Sequence, residues 1–160
     1  MKKVLFFAAF AVIALTASAQ GQFRAGLNLG LPMGDAGDIA TFTIQVDAAY
    51  LWEVSDNFEA GATAGYSHSF GDEIGGFEFD DITFVPIAAA ARFNVSDEFS
   101  LGADIGYAVG ISDGNDGGFY YRPRVAYGVS DNIDIVASYT GISVDGFSFD
   151  YVSVGVDIGL

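Results

Sequence analysis

One histidine, His68, and no cysteine limit what this 160-residue chain could do by covalent chemistry. An imidazole serves as a general base when a hydroxyl lies within hydrogen-bond reach. On an extended strand that hydroxyl would stand two residues away, on the same face. Tyr66 and Phe70 occupy those places, whereas Ser67 and Ser69 point to the opposite face. The run Asp113-Gly114-Asn115-Asp116-Gly117 approaches a calcium-loop pattern, but Gly117 stands where the third ligand belongs. There is no Cys/His metal set, phosphate-binding loop or dinucleotide fingerprint. No catalytic residue, metal or cofactor is expected.

The remaining chemistry-bearing residues are charges. Asp and Glu number 21 against 6 Lys and Arg, a formal charge of −15. Such a balance excludes an electrostatic grip on nucleic acid, which needs a basic patch. With 51% hydrophobic residues, 15 Phe and 8 Tyr, the chain is not disordered. Its 21 glycines follow no Gly-X-Y period, so it is not collagenous. A chain this acidic and this apolar at once is unusual for a water-soluble globule.

The N-terminus sharpens that contrast. Met1-Lys2-Lys3, the apolar run Val4 to Leu15 and the small residues Ala17-Ser18-Ala19 have the layout of an export signal. The run is too short for a spanning helix. Cleavage is expected after Ala19, with Ala17 and Ala19 as recognition residues, dividing the chain into a leader (1–19) and one domain (20–160). Removal takes both lysines away. Arg24, Arg92, Arg122 and Arg124 then face all 21 acids, a net charge of −17. Lacking cysteine, the exported chain forms no disulfide and carries no lipid anchor at the cleavage site.

The elements that must position these charges read as eight strands, near 22–31, 42–53, 58–70, 82–94, 99–111, 119–129, 133–142 and 150–160. Three connections are short and nearly identical: Val54-Ser55-Asp56-Asn57, Val95-Ser96-Asp97-Glu98 and Val129-Ser130-Asp131-Asn132. Their Ser, Asp and Asn side chains close tight turns. Four others, around 32–41, 71–81, 112–118 and 143–149, are expected to be long, glycine-rich and acidic. Short turns at one end and long loops at the other describe an eight-stranded antiparallel up-and-down transmembrane β-barrel. On that reading the short turns and both termini are periplasmic.

Side-chain alternation assigns the two faces. Residues 99–111 alternate Phe99, Leu101, Ala103, Ile105, Tyr107, Val109 and Ile111 with Ser100, Gly102, Asp104, Gly106, Ala108 and Gly110. The polar parity is small and lacks the long charged residues of a water-facing strand, as expected of a crowded lumen. Aromatics collect toward both strand ends, as in two interfacial girdles. By parity Arg24, Asp47, Glu59, Arg92, Asp104, Arg122, Arg124, Asp134 and Asp157 form a charge network inside the barrel. Arg24 is expected to pair with Asp157 across the closing seam, Glu59 to lie beside Arg92, and Asp104 diagonal to Arg124. Pro86 and Pro123 fall within strands and are expected to mark bulges or strand ends.

These features resemble the small outer-membrane β-barrel proteins of Gram-negative bacteria, the OmpA/OmpX-like group often labelled porin-like. The resemblance covers the whole mature chain. Its most specific point is the C-terminus, where Ser153, Gly155, Ile158 and Leu160 match the signal read by the barrel-assembly machinery. Leu160 stands where the family commonly ends in an aromatic residue. The resemblance implies a place in the outer membrane among lipid and lipopolysaccharide. The clustered loop carboxylates themselves offer contacts to divalent cations bridging lipopolysaccharide, the alternative being solvated acidic loops that discourage aggregation. The resemblance also implies an envelope-structural or surface-interaction role without enzymatic activity, or alternatively a narrow porin-like channel. Some barrels of this kind modify lipid A with a lipid-facing His and Ser, the third alternative; His68 sits at a suitable height without such a Ser.

Overall fold

Alternation of apolar and small polar residues over stretches of about a dozen positions suits strands that bury one face and leave the other in apolar surroundings. The computed structural model describes residues 21–160, and the expected leader lies outside the described residues. Eight long strands are present: β1 (Gly21–Met33), β2 (Ala40–Ser55), β3 (Phe58–Gly71), β6 (Ile82–Asn94), β7 (Phe99–Gly110), β8 (Gly118–Ser130), β9 (Ile133–Val144) and β10 (Phe147–Gly159). The two-residue strands β4 (Glu73–Ile74) and β5 (Phe77–Glu78) form a separate hairpin within one loop. The long strands close into an antiparallel barrel in the order β1-β10-β9-β8-β7-β6-β3-β2. The seam runs from Arg24 opposite Gly159 to Met33 opposite Asp150.

The three short turns lie where their sequence places them. In the turn after β6, the Val95 and Ser96 amides both donate to the Phe99 carbonyl, and the Phe99 amide donates to Ser96 Oγ. At the opposite end the structure corrects one expectation. Residues 143–149 are not a long loop, because β9 continues to Val144 and β10 begins at Phe147. Only Asp145-Gly146 turns the chain, with Gly146 at φ +76°, and Asp-Gly is a strong hairpin dipeptide. Three connections at this end are therefore long. The first holds a 3₁₀ turn, Gly34–Asp38.

Both prolines are also corrected. Neither produces a bulge, since the register is unchanged across Pro86 and across Pro123. Pairing lapses on one side only: between Ala64↔Ile87 and Ser67↔Phe84 at the β3–β6 ladder, and between Tyr121↔Gly141 and Arg124↔Ser138 at the β8–β9 ladder. An antiparallel residue directs its amide toward one neighbour, so a proline interrupts one ladder and leaves the other intact.

The outward face carries Leu27, Leu29, Leu31, Ile87, Ile105, Val154 and Val156, all exposed. Some inward glycines answer a backbone constraint as well as a narrow lumen. A Cβ at Gly61 would strike the Tyr50 carbonyl, and one at Gly106 the Ile87 carbonyl. The long-loop half of the lumen is filled by Phe84, Tyr120, Ile142, Phe149 and Tyr151, each at most 1% exposed. Ala36 of the 3₁₀ turn packs onto this apolar cluster.

Candidate functional site

The inward parity of β2, β6, β7 and β8 brings four charges into one chain beneath the aromatic cluster. Arg92 donates to Asp104 Oδ1 at 2.7 Å, and Arg122 donates through Nε to Asp104 Oδ2 at 2.7 Å. Arg122 also reaches Asp47 Oδ1 at 2.8 Å. In the ring order β8 and β2 are four strands apart, on opposite walls. The Arg122–Asp47 pair therefore crosses the lumen. Asp47 further accepts from Asn28 Nδ2 at 3.1 Å and Gln45 Nε2 at 3.2 Å, while the Tyr151 hydroxyl donates to Gln45 Oε1 at 2.6 Å. Arg122 and Asp104 are 1% and 0% exposed. Buried charges of this kind persist only when paired and hydrogen-bonded.

The remaining lumen charges pair differently from expectation. Arg24 binds Asp134, not Asp157, and Asp157 is taken by Arg124. Each pair skips a strand, since β10 lies between β1 and β9, and β9 between β8 and β10. In so narrow a ring, side chains reach over the small residues of the intervening strand, so seam neighbours need not be partners. Glu59 stands opposite Arg92 in register, but Arg92 turns to Asp104 and to the Ala91 and Ala103 carbonyls. No cation among the described residues pairs with Glu59. Asp104 is diagonal to Arg124 in the β7–β8 register but bonds Arg122, directly opposite.

Asn28, Gln45 and Tyr151, neutral residues outside the expected set of charges, also belong to this network. Their signal was parity: Gln45 shares a face with Asp47, and Tyr151 with Asp157. At the C-terminus Ser153 is inside the barrel, sharing a 2.8 Å hydroxyl contact with Ser138, whereas Ile158 and Leu160 are exposed outside. Gly155 faces inward beside Asn28. His68 is half-buried on the outer face, edge-on to Phe70 at 4.7 Å. Its Nδ1 lies 3.1 Å from Thr83 Oγ1 on the neighbouring strand, and its Nε2 lies 3.1 Å from Asp81. Thr83 is its cross-strand partner, a neighbour that spacing along one strand does not reveal.

A lumen blocked by an ion-pair layer and an aromatic layer, behind an apolar outer belt, can be set against known proteins. The sequence matches the outer membrane protein β-barrel domain family over residues 4–158. No curated protein sequence matches it. Among solved structures, the Yersinia pestis outer membrane protein Ail in a phospholipid nanodisc superposes with a TM-score of 0.62 at 15% identity, covering 88% of this chain and 100% of that one. Neisserial surface protein A gives a TM-score of 0.53 at 18% identity, over 86% and 96% of the two chains. A de novo designed transmembrane β-barrel gives 0.59 at 14%, over 89% and 98%. At such identities the superpositions speak to the fold alone, while the family match spans nearly the whole sequence. The closed eight-stranded barrel and that match agree: this chain belongs to the outer membrane protein β-barrel family.

Proposed function

We propose that this outer-membrane barrel is a non-conducting, non-enzymatic protein that acts through its outer surface and long connections. The observation that supports this reading is the double closure of the lumen, by Arg122 joined across it to Asp47 and by the buried Phe84, Tyr120, Phe149 and Tyr151. On this reading the leader is removed after Ala19, and Ser153, Gly155, Ile158 and Leu160 present the chain to the assembly machinery. The three long connections then face the cell exterior, among lipopolysaccharide, and both termini face the periplasm.

These connections carry Asp35, Asp38, Glu73, Glu78, Asp80, Asp81, Asp113 and Asp116 exposed, with no basic residue. Their charge favours a cationic partner, or one bridged by divalent cations. Ail of Yersinia pestis has been crystallised with the heparin analogue sucrose octasulfate. A polyanion of that kind finds no exposed arginine here, because the four described arginines line or lie within the lumen.

Conductance in planar bilayers tests the closure. The purified protein is expected to give no reproducible openings, and steady unitary currents would establish the porin-like alternative instead. The lipid-facing belt has its own test. Ile105→Arg, at mid-height on the outer face of β7, is expected to destabilise the barrel in vesicles by about 2–4 kcal/mol. A change near zero in urea titration would place that face elsewhere than in lipid.

A further inference from the structure

The connection from β3 to β6, residues 72–81, leaves and rejoins the barrel at one rim. Asp81, its last residue, ties the two ends together. Its Oδ1 accepts from the Gly71 amide at 3.0 Å, and its Oδ2 lies 3.1 Å from His68 Nε2. The other ring nitrogen, Nδ1, lies 3.1 Å from Thr83 Oγ1. An ionised carboxylate only accepts, so the neutral ring carries its proton on Nε2 and accepts from the Thr83 hydroxyl at Nδ1. A second proton enters at Nδ1, and the Thr83 hydroxyl turns to accept it. No contact is lost in that step, and the Nε2–Asp81 contact becomes an ion pair. Around the ring stand Tyr66 and Phe70 on its own strand, Ile44 opposite it on β2, Thr83 opposite it on β6, and Asp81. Tyr66 and Asp81 are the titratable groups among these. With Asp81 withdrawn, the ring would keep its apolar neighbours and have no counter-charge, so charge on the ring favours the attached loop.

We propose that His68 and Asp81 form an acid-strengthened clamp that fastens the 72–81 connection to the barrel rim. Histidine is the side chain whose charge ordinarily changes between about pH 5 and 8, and this chain has one. The clamp is tight in acid and loosens as the ring loses its charge. What it holds is the β4–β5 hairpin, with Phe77 78% exposed and Glu73, Glu78 and Asp80 exposed beside it. The clamp concerns the protein's own loop and stands whatever that surface binds. The His68 and Asp81 side chains are 27% and 53% exposed, so the effect is that of a partly screened pair, about two- to fivefold in the opening equilibrium.

The test is amide hydrogen exchange on the mature protein, refolded in detergent micelles and read at Gly71, Asp72 and Phe79 between about pH 5 and 8. These amides donate to Asp81 Oδ1, the Ile39 carbonyl and the Asp72 carbonyl, at the base of the connection and within it. None adjoins position 68 or 81, so intrinsic exchange cancels when a variant is compared with the unaltered protein at the same pH. His68→Gln is expected to exchange about two- to fivefold faster at the acid end, with the ratio falling toward one at the alkaline end. Asp81→Asn, which keeps an acceptor for Gly71 but no charge, is expected to follow the same trend. A ratio that does not change with pH, or that rises with it, overturns the proposal. So does a pH-dependent effect of His68→Gln that persists when both proteins carry Asp81→Asn. Should His68→Gln fail to refold, the trend of Asp81→Asn against the unaltered protein decides.

Discussion

Replacing Arg122 with alanine is expected to destabilise the barrel by about 3–5 kcal/mol, the usual result of breaking a buried ion pair from one side. Two carboxylates lose a partner at once, and they do not suffer equally. Asp104 keeps Arg92 at 2.7 Å, whereas Asp47 keeps only the neutral amides of Asn28 and Gln45. The damage should therefore concentrate on Asp47, and Arg122→Ala/Asp47→Asn should recover part of the loss. Urea unfolding in lipid vesicles checks both variants. Equal stability of the single and double variants would show that the pair across the lumen is not coupled.

Phe149→Ala should have a comparable effect by a different route. Phe149 is 0% exposed and packs against Phe84, with centroids 5.5 Å apart, as well as against Tyr151. Truncating a buried aromatic costs about 3–5 kcal/mol through lost contacts and the cavity left behind. Conduction should nevertheless stay absent, because the Arg122–Asp47 layer beneath is untouched. Only the combined Arg122→Ala/Phe149→Ala variant removes part of both layers. Unitary currents in the double variant and in neither single one are the expected pattern. Currents in the Phe149 variant alone would show that the ion pairs do not seal the lumen.

What the sequence made legible follows from the period of two along each strand. The strand count, the inward-facing charges, the outer apolar belt and the three Ser-Asp turns need only local pattern and turn chemistry. The choice of partner among the inward charges was not legible. Parity shows that Arg24, Asp134 and Asp157 all face inward, but which of them meet depends on ring closure and on the small residues between. Residues 143–149 form a tight hairpin and not a long loop because Phe147 and Phe149 continue the strand alternation around Asp145-Gly146, whose acid and glycine mark a turn and not length. The apolar cluster was hidden for a related reason. Tyr120, Phe149 and Tyr151 look like girdle residues by type, and only their parity places them inside.

The pair that spans the lumen also bears on time. Arg122 and Asp47 are 75 residues apart in sequence and sit on strands that meet only across a finished ring. Their bond needs the two walls to face each other across the curled sheet, so we expect it among the last contacts to form. Contacts absent from a transition state leave the folding rate alone and slow its reverse. The charged layer is therefore expected to act as a latch set last, lengthening the life of the inserted barrel more than it hastens insertion.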